Sequence, residues 1–277
     1  MRNFNGQTAL LTGASGGLGA YIAHALAQLG MNQALVAFPG AGLEDLRTAI
    51  EKGGRRAIAI QADLRLASER AKVVQEVTGE FGCIDVLVNN AGVEFTCPFH
   101  ELSEEQIRDV ISVNLEAALF LTRLVLPDML KRKRGHIVNM SSLAGKSGPA
   151  FQEPYAATKA ALIAFTTSLR ATYQGTGVSA SVICPGFVEA GIYARLKART
   201  GCSAPFALGT IAPEKVGRAV SRALQRDRPE VIINRWPVRP LFALTALSPS
   251  LGAWLVNRIG AHDFFRRVFE AQKGRPT

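Results

Sequence analysis

The stretch Thr8-Ala9-Leu10-Leu11-Thr12-Gly13-Ala14-Ser15-Gly16-Gly17-Leu18-Gly19 decides how this chain is read. A short apolar run, Thr8–Leu11, ends in a glycine cluster, and a helical stretch, Gly17–Leu29, follows. Gly13 permits a tight turn, Gly17 lets backbone N–H groups approach a pyrophosphate, and Gly19 lets the helix pack close to the strand. The start of the helix adds its partial positive charge. A glycine cluster alone is a weak signal and fits any flexible loop. Between a first strand and a first helix it points to a dinucleotide.

The same alternation continues outward. Apolar runs recur at Ala34–Phe38, Ala57–Gln61, Asp85–Asn89, His136–Met140, Ser179–Cys184 and Glu230–Ile233. Each is apolar through most of its length, as strands covered on both faces should be. Helical stretches lie between them at Leu43–Lys52, Ala67–Phe81, Glu104–Lys131, Pro154–Tyr173 and Pro213–Arg226. Ser103 with Gln106 forms a capping box, and Pro154 and Pro213 sit at first-turn positions. The pattern predicts a three-layer α/β fold: about seven parallel strands, right-handed crossovers and helices on both faces. Its site belongs beyond the carboxyl ends of the strands.

The 277 residues make one domain, 1–277, the expected organisation, with a C-terminal helical or irregular extension at 235–277. Apolar residues at 48% and charged residues at 19% exclude disorder. Cys83, Cys97, Cys184 and Cys202 are irregularly spaced and read as reduced thiols of a cytoplasmic protein. The four histidines are scattered, so no metal site is expected. No signal peptide and no 20-residue apolar span is read; the nearest stretch is Pro240 to Val256. The net charge of +10 favours anionic partners without choosing one. The Lys131–Arg134 run complements a helix C-terminus, and no nucleic-acid-binding motif accompanies it.

Tyr155 and Lys159 are four residues apart, on one helix face. A free tyrosine ionises near pH 10, too high for a base near neutrality. A neighbouring ammonium and a nicotinium ring would favour phenolate, and a shift of about 2–3 units needs about 3–4 kcal/mol. Ser142 lies 13 residues before Tyr155 and can hydrogen-bond a substrate oxygen. Taken singly, a Tyr/Lys pair is a solvated helix face and Ser141-Ser142 an ordinary turn.

Together these motifs resemble the short-chain dehydrogenase/reductase family in its compact single-domain form. The resemblance runs from Gly6 to Asn234 and rests on T-G-x-x-x-G-x-G, Asn89-Asn90-Ala91-Gly92, Asn114, Ser142, Tyr155-x-x-x-Lys159 and Pro185-Gly186. It implies a doubly wound Rossmann fold and an NAD(P)-dependent oxidoreductase acting on an alcohol/carbonyl pair. It implies Asn114, Ser142, Tyr155 and Lys159 as catalytic residues, with Asn114 positioning a water. The cofactor contacts it implies are Gly13, Ser15, Gly17, Leu18, Gly19, Phe38, Asp63, Leu64, Asn90, Ala91, Gly92, Tyr155, Lys159, Pro185, Gly186 and Val188. Homodimers or homotetramers through Glu104–Lys131 and Pro154–Tyr173 are also implied.

Two departures matter. The second strand ends Val36-Ala37-Phe38-Pro39-Gly40, with no acid for an adenosine ribose and no arginine for a 2′-phosphate. The cofactor is NADP or NAD, and the missing acid leans the reading slightly to NADP. Ala190 stands where the family carries the threonine that holds the nicotinamide carboxamide.

Residues 189–212 read as a substrate lid, made apolar by Ile192, Tyr193, Leu196, Phe206 and Leu208. With Val93 and Phe95 they point to a mainly apolar alcohol or ketone, unless they are simply core under a loop. The extension from Arg235 has three readings: cover for the cleft, a subunit interface, or a peripheral contact with an anionic membrane. The alternative function is a non-catalytic dinucleotide-binding sensor or scaffold, against which the Asn114, Ser142, Tyr155 and Lys159 set argues. A basic nucleic-acid- or membrane-binding protein has charge alone behind it.

Overall fold

The computed structural model describes residues 2–39 and 42–273. Gly40 and the last four residues of the extension lie outside the described residues. In chain order the elements are β1 (Thr8–Thr12), α1 (Gly19–Gln28), β2 (Asn32–Ala37), α2 (Leu43–Lys52), β3 (Ala57–Gln61), α3 (Ala67–Phe81) and β4 (Val86–Asn89). Then come α4 (Glu104–Ile111), α5 (Ala117–Lys131), β5 (Gly135–Met140), α6 (Ala144–Ser147), α7 (Glu153–Thr172) and β6 (Val178–Pro185). The chain continues with α8 (Gly191–Thr200), α9 (Glu214–Arg226), β7 (Glu230–Ile233), α10 (Arg239–Leu247), α11 (Pro249–Arg258) and α12 (Ala261–Lys273).

The seven strands form one parallel sheet in the order β3-β2-β1-β4-β5-β6-β7. Alternate side chains feed two cores. Ala9 and Leu11 of β1 join Ile22 and Leu26 of α1, Leu46 of α2 and Val220 of α9 on one face. Leu10 joins Val73 of α3, Leu121 and Val125 of α5 and Leu169 of α7 on the other. This two-sided burial is why the strands read as unbroken apolar runs. The strand order reverses direction between β1 and β4, and a crevice opens there beyond Thr12 and Asn89.

Polar contacts lock the crevice. The Asn89 amide donates to Asn139 Oδ1 at 2.8 Å, and the Asn139 amide donates to Thr166 Oγ1 at 2.9 Å, tying β4, β5 and α7 together inside the protein. The α4 start carries the expected capping box, with Gln106 N–H on Ser103 Oγ and Ser103 N–H on Gln106 Oε1. The Lys131–Arg134 run does more than face a helix end. Arg132 and Arg134 both reach the buried Asp85 carboxylate at 2.7 and 2.9 Å, beside the start of β4.

Two expectations change. The long helical run 104–131 is interrupted by a π-helical segment, Ser112–Glu116. It also contains an 18-residue window of mean hydropathy 1.5, long and apolar enough to cross a bilayer by length and composition. The sequence reading found no such span. Within the fold, Leu121, Val125 and Met129 of this helix are buried in the second core. The extension, read as helical or irregular, forms three helices, α10–α12.

Candidate active site

The glycine turn is held by the N-N-A-G loop. Thr12 Oγ1 accepts from the backbone N–H groups of Asn90 (3.0 Å) and Ala91 (3.1 Å). The Asn90 amide donates to the Thr12 and Gly13 carbonyls at 3.0 Å each. Gly13 has φ +64°, and a Cβ on it would lie 2.8 Å from Ala91 Cα. A Cβ on Gly19 would run into the Gly13 carbonyl, so α1 starts directly against the turn. A Cβ on Gly17 would strike the Gly191 backbone at the head of α8. The turn is therefore a bare-backbone cradle at a helix N-terminus, bounded by the start of α8, and it fits a pyrophosphate.

One cavity of about 540 Å³ runs from this cradle across the carboxyl end of the sheet. Gly13, Ser15, Gly17, Leu18, Phe38, Asp63, Leu64, Asn90, Ala91, Gly92, Ser142, Tyr155, Lys159, Pro185, Gly186 and Val188 all line it. Two expected residues do not. Gly19 sits behind the turn, in contact with its backbone. Asn114 is buried within the π-helical segment: its Oδ1 accepts from Val93 N–H at 2.8 Å, and its amide donates to the Val93 carbonyl (2.9 Å) and Thr158 Oγ1 (3.3 Å). It fastens the loop after β4 next to Gly92, where a Cβ would lie 3.4 Å from both Asn114 Oδ1 and Lys159 Nζ.

Beyond β5, Ser141 Oγ donates to the Lys159 carbonyl at 2.7 Å, and Ser142 Oγ accepts from Ala144 N–H at 3.1 Å. Ser142 also hydrogen-bonds Tyr155. Lys159 Nζ donates to the Met140 carbonyl at 2.9 Å and lies 5.4 Å from the Tyr155 ring centroid. The two side chains are close, as expected, and burial acts on both. Burial pushes the Tyr155 phenol up to about 12, partly opposed by the Ser142 hydrogen bond and reinforced by Glu94. Burial likewise pushes the Lys159 ammonium down to about 8. The dry surroundings disfavour both charges. Cys184, also pushed up to about 12 by burial, remains a thiol near Lys159.

Several lining residues escaped the sequence reading. Arg65 lies 5.7 Å from the exposed Phe38 ring and bonds Asp63 Oδ2 (2.8 Å) and Asp109 Oδ1 (2.7 Å). Those bonds hold its guanidinium above the ordinary arginine range and the Asp63 carboxyl below the ordinary carboxylate range. An arginine two residues after Asp63, past a strand's carboxyl end, was the available signal. Gln152 had none. Its amide donates to Thr96 Oγ1 (2.7 Å) and Glu94 Oε2 (2.5 Å), and burial pushes the Glu94 carboxyl up.

The far end of the cavity is apolar. The 189–212 segment forms α8 over Gly191–Thr200 and is non-helical from Gly201 on. Its Tyr193 and Leu196 are buried against Phe264, Phe265 and Val268 of α12, with Phe187 and Phe264 ring centroids 4.9 Å apart. Ile192 and Leu208 line the cavity, whereas Phe206 faces solvent. Leu241, Phe242, Val256, Ile259 and Phe265 of the extension roof the same cavity, so cleft cover is among its roles.

A parallel sheet with a glycine cradle at its switch point, and Ser142, Tyr155 and Lys159 gathered beside it, defines an NAD(P)-dependent oxidoreductase. Residues 7–200 match the sequence profile of the short chain dehydrogenase family, and the chain belongs to that family. It is 40% identical to the ketoacyl reductase HetN of Nostoc sp. over 275 residues, which cover 98% of this chain and 95% of the relative. It is 32% identical to the 3-oxoacyl-[acyl-carrier-protein] reductase FabG of Vibrio cholerae, over 79% of this chain and 90% of the relative. Among solved structures, a metagenomic short-chain oxidoreductase in complex with NADP superposes with a TM-score of 0.71 at 33% identity, covering 84% of this chain and 98% of that one.

Proposed function

We propose that this chain reduces the carbonyl of a mainly apolar substrate, using NADPH in preference to NADH. The observation that carries the reading is the one cavity that joins the glycine cradle, the Ser142–Tyr155–Lys159 group and an apolar roof. Bound in that cradle, the dinucleotide supplies the hydride. Phe38 offers a flat apolar face to the adenine, and Arg65 beside it supplies the cation that the end of β2 lacks.

Ser142 Oγ orients the substrate oxygen. Tyr155, whose phenol is fully protonated at neutral pH, gives that oxygen its proton. Lys159 stays largely protonated below pH 8 and holds the positive charge that steadies the phenol oxygen as the proton leaves. Asn114 keeps the loop carrying Gly92 and Val93 in place against α7. Asn114 also remains the candidate for placing a water beside Lys159. Residues 189–212 serve as the lid within a single domain.

The relatives named as ketoacyl and 3-oxoacyl reductases support a 3-oxoacyl compound as the substrate class. The carbonyl end lies at Ser142 and Tyr155, and the acyl chain runs under Ile192, Leu241 and Phe242. A cytoplasmic homo-oligomer assembled through α5 and α7 completes the reading; Phe120 of α5 is exposed and free to take part. The test is titration with NADPH and NADH, then a carbonyl panel with the better cofactor, comparing wild type with Tyr155→Phe. Undiminished turnover by the variant refutes the proton-donor role.

A further inference from the structure

The α10–α11 pair is apolar on two faces. Its inner face closes the cavity with Leu241, Phe242, Val256 and Ile259. Its outer face carries Leu247, Leu251 and Trp254, which are 85%, 43% and 54% exposed. Leu247 ends α10 at the bend, and Leu251, Trp254 and Arg258 follow at three- and four-residue spacing along one side of α11. Gly252 lets α11 rest directly on α10, since a Cβ there would lie 2.5 Å from Thr245 Cα. The two helices thus form one wedge. A helix apolar all round requires an apolar neighbour on each side. The cavity is one neighbour, and the outer face needs another.

Charge selects it. From Arg235 to His262 the chain contains no aspartate or glutamate. The Arg258 guanidinium lies 5.3 Å from the Trp254 ring, and that of Arg235 lies 5.2 Å from the Trp236 ring. Trp254 and Arg258, on the same side of α11 as the exposed Leu251, suit the headgroup level of a bilayer. No carboxylate on this stretch repels anionic lipid. A second copy of the same face would instead set arginine against arginine.

We propose that the outer face of α10–α11 docks this protein on an anionic lipid surface. Leu247, Leu251 and Trp254 enter the headgroup–acyl boundary, and Arg258, beside Trp254, meets a lipid phosphate. The contact is interfacial, not spanning, and it stands independently of the catalytic reading.

The test uses the full chain with vesicles of phosphatidylcholine alone or mixed with phosphatidylglycerol. Binding is read by co-sedimentation and by Trp254 emission in a Trp236→Phe background. An arginine near an anionic surface favours binding about fivefold, so Arg258 gives about fivefold tighter binding to the mixed vesicles at low salt. That preference weakens with added salt, and Trp254 emission shifts to the blue. The double variant Leu247→Glu/Leu251→Glu loses binding but keeps wild-type turnover of a water-soluble carbonyl and a wild-type unfolding profile. Wild-type binding no tighter to anionic than to neutral vesicles overturns the proposal, and so does undiminished binding by the double variant. A lipid-free dimer that the double variant disrupts assigns the face to a second copy and overturns it too.

Discussion

Replacing Lys159 with methionine tests the electrostatics of the site without any cofactor. The two side chains are similar in length, and the position is almost wholly buried. Burial takes the ammonium from 10.5 to about 8, a penalty of about 3 kcal/mol on the charged form in the folded protein. Between pH 8 and 10.5 the unfolded chain holds the proton and the folded chain does not. Wild-type stability attributable to this group therefore rises with pH through that window and is lowest below it. Methionine removes the penalty but also the hydrogen bond to the Met140 carbonyl, worth about 1 kcal/mol. Lys159→Met is thus expected to be about 2 kcal/mol more stable than wild type at pH 7 and about 1 kcal/mol less stable above pH 10.5. Urea unfolding of both proteins at matched pH measures the swing, and the difference cancels other groups such as Cys184. A stability difference that does not change with pH refutes the claim that the site is dry enough to depress the lysine. The same variant is expected to lose turnover, because the site keeps a charge that the fold disfavours.

Further outcomes follow from the same geometry. Tyr155→Phe should lower the rate of carbonyl reduction by about 10²–10⁴, with cofactor affinity by calorimetry little changed. Arg65→Ala should weaken NADPH binding by about tenfold while changing NADH binding far less, since a charge-assisted bond to the 2′-phosphate is lost. Gly17→Ala should abolish binding of either dinucleotide, because the new Cβ collides with the Gly191 backbone; fluorescence titration reads this directly. His136 is buried beside Asp227, and desolvation holds its pKa well below the ordinary value, to about 3. Its contribution is therefore present above the unfolded pKa near 6.5 and lost as pH falls below it. His136→Gln should flatten the acid limb of a thermal-unfolding series.

The parts legible in the sequence are those set by local chemistry. Strands buried on both faces show as apolar runs, the Ser103–Gln106 pair marks the start of α4, and the glycine turn marks the switch point. Because a parallel sheet gathers its carboxyl ends, motifs spread from Gly13 to Val188 meet in one cavity. What stayed hidden depends on contacts between distant residues. Arg65 reaches Asp109, 44 positions away, and no periodicity records that. Pro249 splits the extension into helices too short to show a clear repeat, so their packing over the cleft could not be read. The sign of the Tyr155 shift was hidden for the same reason. A nearby ammonium acidifies a phenol only while it is charged, and the burial that raises Tyr155 also depresses Lys159.

That shared burial bears on the direction of reaction. Reduction needs a phenol that holds its proton, which Tyr155 does throughout the neutral range. Oxidation needs the phenolate. With a phenol pKa of about 12, only about one molecule in 10⁵ is ionised at pH 7, equivalent to about 7 kcal/mol. The chain's own counter-charge is costly to keep, because Lys159 loses its proton near pH 8. Reduction should therefore be flat in pH below about 8 and fall above it as Lys159 discharges. Alcohol oxidation should climb about tenfold per pH unit across the alkaline range until Lys159 discharge limits it. Steady-state kcat/KM measured in both directions over one buffer series separates the two limbs. If oxidation were already level at neutral pH, the positive ring of the bound oxidised cofactor would have to outweigh the burial of Tyr155, and packing alone would not set the direction.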